Sequence, residues 1–134
     1  MQDQYIFDYA IIRVVPRVDR EEFINAGVIL SCPGKEFLDA RFFLNEEKLG
    51  VFSPSIDMEI IKSHLNAIAE ICAGGMAAGT IGKLSQRERF HWLTSPKSTI
   101  IQTSSVHSGY CTDPAEKIEH LLESMVKTNN KTDK

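Results

Sequence analysis

The chain has no apolar run approaching the roughly 20 residues that a membrane helix needs. Its opening Met1-Gln2-Asp3-Gln4 has neither the positive flank nor the apolar stretch of a secretory signal. The expectation is a cytoplasmic protein that does not engage a membrane. Cysteine is sparse and odd in number: Cys32, Cys72 and Cys111 are spread along 134 residues with no CxxC pair. That argues against a disulfide framework and against structural zinc, and leaves the three as small buried hydrophobes. No metal and no cofactor is expected. Glycine-rich phosphate loops, a GxSxG turn around a serine and internal repeats are missing too. An excess of positive charge is also lacking: the net charge is −3 and the pI about 5.8. This excludes a molecule whose whole surface is an electrostatic footprint for nucleic acid or anionic lipid.

What is present is the composition of an ordinary globular protein, 43% hydrophobic and 25% charged, enough to bury one core without staples. A single α+β domain is expected over residues 1–127, followed by a polar, frayed tail at 128–134 (TNNKTDK). Residues 5–15 (YIFDYAIIRVV) are β-branched and aromatic and stop at Pro16, which offers no ladder donor, so they read as a strand. Asp19 and Glu22 have capping-box spacing for a short helical turn through Phe23. Residues 26–32 and 37–44 flank Pro33-Gly34 and read as a hairpin.

From 57 to 73 the apolar positions Met58, Ile61, Leu65, Ile68 and Cys72 recur three and four apart, which predicts an amphipathic helix. Asp57 stands at its cap and Gly74-Gly75 at its end. Residues 76–82 read as a loop. Ser85 and Glu88 again have capping-box spacing and favour a short helix through Leu93 over a strand with alternating Phe90 and Trp92. Residues 99–106 read as a fourth strand. Asp113-Pro114 with Glu116 opens a last helix whose apolar face is Ala115, Ile118, Leu122 and Met125. The pattern predicts a mostly antiparallel sheet of about four strands with amphipathic helices packed on one face.

Charge is uneven. Between Lys83 and Gly109, Lys83, Arg87, Arg89 and Lys97 stand against Glu88 alone, among many hydroxyls and with His91 and His107. Guanidinium forks, ammonium groups and hydroxyl donors are what a phosphate or carboxylate requires. The candidate ligand set is therefore Arg87, Arg89, Lys97, Ser98, Gln102 and His107; the plainer reading is a solvated surface with loop caps. Asn25 reads either as a turn residue with positive φ or as a side chain aimed at a ligand from the mouth of the second strand. Arg13 and Arg41 lie inside apolar strands, so each faces solvent or must find a partner. Arg13 shares parity with Tyr9 and Ile11 and joins the candidate set with Asn25. Ser104, His107 and Asp113 are the residue types of a nucleophile triad without its framing turn. His107 and Cys111 lack a second ligand pair. Trp92 reads as core beside Phe90, and His64 and His120 as ordinary helix residues.

The run Arg89-Phe90-His91-Trp92-Leu93-Thr94-Ser95-Pro96, with Ser98 to Ser104 and Val106-His107-Ser108-Gly109, resembles the bacterial family catalogued as domain of unknown function 3037. Tyr9 to Pro16 and Phe23 to Leu30 extend the likeness over nearly the whole chain. The family has no established activity, so the resemblance implies no mechanism. What the resemblance implies about partners is a gene context, members often sitting beside genes for HipA-like kinases, and with it a regulatory or accessory role and a kinase of that type as partner.

The first expectation is thus a binding or regulatory domain, not an enzyme, acting through a protein partner and holding a small anionic ligand. The alternative is an enzyme of phosphoryl or phosphodiester chemistry, with His107 as acid or base and Arg87 and Arg89 stabilising charge. Convergence of Arg89, Gln102 and His107 on one concave pocket would favour it. A nucleic-acid-binding module comes third, since a local surplus of three charges is small for that task. Exposed strand edges leave a homodimer open.

Overall fold

A computed structural model describes residues 3–16, 22–97 and 99–127. Strand β1 (Tyr5–Val14) is the axis of the fold, because both of its edges are paired. On one side β2 (Ile24–Cys32) runs antiparallel to it and carries β3 (Phe37–Phe42) beyond. On the other side lie β4 (Ile101–Thr103) and then β5 (His107–Cys111), both antiparallel to β1, so five strands form one antiparallel sheet. The α+β class is as the sequence predicts. The expected fourth strand at 99–106 is instead two short strands, and Ser104 joins them. Its backbone N–H donates to the Ile11 carbonyl at 2.8 Å, and its buried hydroxyl accepts from the Ile11 N–H at 2.8 Å. A side chain thus keeps the central strand's hydrogen bonding complete where the edge strand breaks.

A β-bulge lies between β1 and β2, where Ile12 pairs with Gly27 but Arg13 pairs with Asn25, leaving Ala26 as the extra residue. The bulge switches the side-chain parity of β2. Ile24 and Ala26 point to one face of the sheet, and Val28, Leu30 and Cys32 to the other. Asn25 therefore lies within the strand, and the positive-φ turn is set aside: Glu36 is the non-glycine residue with positive φ among those described. Gly27 sits beside the bulge because nothing larger fits. A Cβ there would lie 2.7 Å from the Arg41 carbonyl oxygen.

The helices cover both faces of the sheet, which corrects the expectation of one. On the first face α2 (Met58–Ala73) and α3 (Gln86–Thr94) pack over Ile12, Val14, Ile29 and Ala40, with Leu49 of α1 (Glu46–Phe52) in the same core. On the second, α4 (Pro114–Leu121) and the wider π-helical turn that continues it, Leu122–Lys127, cover Phe7, Ile11, Val28 and Leu30. The cause is that β1 and β2 are apolar on both sides, so each face needs its own cover. The π turn also shifts the helix phase. Pro114, Ile118, Leu121, Leu122 and Val126 are buried, whereas Met125, assigned to the apolar face from 3.6-residue periodicity, is 38% exposed and Ala115 is exposed as well.

The caps are as read: Asp57, Ser85 with Glu88, and Asp113 accept backbone N–H groups at the starts of α2, α3 and α4. Helix α1 escapes the periodicity argument because it is only about two turns long, yet Asn45 caps it and Glu46 and Glu47 follow in its first turn. The turn expected to start at Asp19 and the tail at 128–134 lie outside the described residues. Cys32, Cys72 and Cys111 are free and buried. No helix among the described residues is long and apolar enough to cross a membrane.

Candidate functional site

The basic stretch does not gather into one site, because helix α3 and the broken edge strand send its members in different directions. Arg89 is spent inside the fold. Its Nη1 donates to the carbonyls of Ile71 and Cys72 at 2.8 and 2.7 Å, and its Nε to that of Leu84 at 3.1 Å. The guanidinium thereby closes the C-terminal end of α2, where unpaired carbonyls and the helix dipole favour a cation. Arg87 is exposed on the outer side of α3 and borders a shallow hollow with Glu88, His91 and Ser95. His107 belongs to the other face. It pairs in register with Tyr9, against whose ring its own lies at 5.5 Å. Arg89, Gln102 and His107 therefore do not converge, and Ser98 lies outside the described residues.

Two of the predicted residues do meet, Lys97 and Gln102, at the rim of a cleft of about 310 Å³ between α2, α3 and β4. Its walls are apolar. Ala67, Ile68 and Ile71 come from α2, Trp92 and Leu93 from α3, and Ile101 from β4, with His64 and Thr103 at the margin. Helix α2 supplies its wall because Ile68 and Ile71 lie on the flank of its apolar stripe, beyond the contact line of Ile61 and Leu65 with the sheet. The Lys97 ammonium donates to the carbonyls of Trp92 at 2.7 Å and Ser95 at 3.2 Å, and stands 4.6 Å from the centre of the Trp92 ring. It neutralises the end of α3. Of its three donors two are used, and burial pulls its pKa below the ordinary lysine value.

Sequence reasoning missed the α2 wall, His64, Ile68 and Ile71. Periodicity marks a helix face as apolar but does not say where a neighbour stops covering it. It also set Trp92 down as core, whereas the residue is 41% exposed and borders the cleft.

A second hollow of about 420 Å³ lies beside the start of α4, with Asp113, Glu116, Lys117 and His120 on its rim. Its mixed charge makes it a poorer receptor for an anion than the cleft. Asp113 is occupied there as the cap of α4. Cys111 below it is held as a neutral thiol by burial and by the nearby Cys32. The triad types are likewise dispersed: the Ser104 hydroxyl, besides accepting from Ile11, donates to the Ser105 carbonyl at 2.9 Å. Among the described residues no three histidine, cysteine or carboxylate side chains gather as metal ligands.

Across the sheet, the predicted residues Arg13 and Asn25 stand directly opposite each other, and Gln102 is the partner of Arg13 on its other side. The three form a row over β2, β1 and β4.

These features define the protein as an α+β fold in which a five-stranded antiparallel sheet lies between two helical layers, with an apolar cleft in one of them. Over residues 9–126 the chain matches the family model described as Protein of unknown function (DUF3037), and it belongs to that family. Comparison with curated proteins and with solved structures gives no match.

Proposed function

We propose that this protein is a cytoplasmic binding domain with a regulatory or accessory role exerted on a protein partner, and that its ligand site is the cleft between α2, α3 and β4. The ligand is a small amphiphile with an apolar or aromatic body and an anionic end. A single observation carries this reading: apolar walls enclose a volume in the range of small-molecule sites, with one partly desolvated ammonium group at the rim. The walls favour burial of an apolar group at about 25 cal/mol per Å². Lys97, with a donor to spare, favours a carboxylate, sulfonate or phosphate at the end of it. Three free, buried cysteines support a reducing compartment. The dispersal of Arg89, Gln102 and His107 counts against the phosphoryl-transfer alternative.

Trp92 is the one tryptophan of the chain and borders the cleft, so its fluorescence reports occupancy. Titration with anilinonaphthalene sulfonate, an aromatic anion, is expected to give saturable energy transfer from Trp92 with a stoichiometry of one. Lys97→Met should weaken binding about tenfold, the worth of one charge-assisted hydrogen bond at a partly exposed site. Ala67→Phe, which fills the cleft, should abolish it, and Arg87→Ala should leave it unchanged. Equal binding by all the variants would remove the cleft from consideration.

A further inference from the structure

The sheet has two edges, and they are built differently. Among the described residues β3 is the last strand on one side, and it is guarded. Asp39 and Arg41 form an ion pair on it, and Gln86 of α3 donates to its Phe37 carbonyl at 2.9 Å. Charged side chains on an edge strand discourage a further strand from pairing. On the other side the last strand at that end of β1 is β5, whose His107-Ser108-Gly109-Tyr110-Cys111 holds no lysine, arginine, carboxylate or proline. The N–H groups of Ile11 and Val15 in and after β1 are directed to this side of the sheet, bonding to Ser104 and Ile100. By the alternation of an antiparallel ladder, Tyr5, Phe7 and Tyr9 are directed there too. Their partners Cys111, Gly109 and His107 are therefore consumed by β1, while Ser108 and Tyr110 turn their N–H and C=O groups outward.

We infer that β5 is the seam of a homodimer, in which two copies of the chain join antiparallel about a twofold axis at Gly109 and their sheets become one. Centring the seam on Gly109 sets Ser108 of each copy opposite Tyr110 of the other. The outward N–H and C=O groups of these residues then meet one another. Chemistry on the sheet face selects a second copy over some other strand. Ser108 donates to the carboxylate of Asp8, its neighbour on β1, and holds it over the gap between the two strands. Tyr110 stands on the same face, opposite Ile6, and is 66% exposed. Across the seam the Tyr110 phenol of one copy passes over the small Ser108 of the other, a strand spacing of about 4.8 Å, and donates to the Asp8 carboxylate behind it. The twofold axis repeats this hydrogen bond in the opposite direction. Gly109 on the axis has no side chain to hold the copies apart, and a Cβ there would meet the Phe7 ring at 3.0 Å.

The test is sedimentation of the intact protein from about 1 µM to about 1 mM, with amide hydrogen exchange on the same samples. A short seam predicts a weak dimer, with a dissociation constant in the micromolar range. The Ser108 and Tyr110 amides should gain protection as the concentration rises, whereas the Gly109 amide, bonded to β1, is protected throughout. Tyr110→Phe keeps the ring and should weaken the dimer about a hundredfold, about tenfold for each of the two symmetric hydrogen bonds. Tyr110→Lys sets a charge on the edge and should leave a monomer with the circular dichroism of the parent. A monomer at every concentration would overturn the seam, as would a dimer whose Ser108 and Tyr110 amides exchange no more slowly than in dilute protein. Protection of those two amides already in dilute protein would overturn it too, because the chain itself would then cover the edge. Association of Tyr110→Phe as tight as that of the parent would overturn the pairing centred on Gly109.

Discussion

Single residues in this fold are explained by what their polar atoms touch. Ser104, Arg89 and Asp113 all have chemistry that sequence reasoning sets beside catalysis or ligand binding, and all three spend it on backbone groups: a strand break, the end of α2 and the start of α4. A lone sequence does not separate these uses, because the same donors serve a carbonyl of the chain and an oxygen of a ligand. Cys72 is the residue whose environment makes the sharpest prediction. Burial in the first core, helped by the negative charge of Asp39 and opposed by Arg89, pushes its thiol from 9.0 up to about 12. In the folded state it keeps its proton between those values, whereas the unfolded chain loses it. The unfolded state then binds fewer protons, so stability falls as the pH rises through that window, by about 1.4 kcal/mol per pH unit for the one group. Below the lower value Cys72 contributes no pH dependence. Urea unfolding at a series of alkaline pH values should therefore show a steeper loss in the parent than in Cys72→Ala. Parallel curves would mean that the thiol ionises as readily in the fold as outside it.

Elements were legible wherever a cap and a period coincide. Asp57 with the stripe from Met58 to Cys72, Ser85 with Glu88, and Asp113-Pro114 each mark a helix start that the structure keeps. What escaped has physical causes. The bulge at Ala26 is an irregularity of pairing and leaves no trace in alternation until the partner strand is known. The π turn after Leu121 breaks the period on which the apolar face of α4 was drawn. The cleft lies between elements, so only the faces that build it could be read, and Arg13 was singled out through parity alone. The joint between α2 and α3 depends on Arg89, whose fork holds three carbonyls from two segments. Arg89→Met should cost about 3 kcal/mol, since it strands carbonyls that a charged donor served. Arg89→Lys should recover less than half of that, because one ammonium group cannot reach both segments. The free energy of chemical unfolding measures both, and a full rescue by lysine would reduce the role to charge at the helix end.

The whole molecule is two cores sharing one sheet. Ile12 and Ile118 are both fully buried, one on the sheet under α2 and the other on the inner side of α4, and no cluster contains both. The strands between them are apolar on both faces, so losing either helical layer exposes the sheet that the other layer needs. Folding should therefore be one cooperative transition although the side-chain contacts are separate. Ile12→Ala and Ile118→Ala are each expected to cost about 3 kcal/mol, and the double variant the sum to within about 0.5 kcal/mol. Unfolding followed through Trp92, which belongs to the α2 and α3 layer, should coincide with unfolding followed through far-ultraviolet circular dichroism, which sees every helix. An Ile118→Ala protein that loses helical signal while Trp92 keeps its native emission would mean that α4 detaches on its own. The sheet would then be a platform for a movable layer.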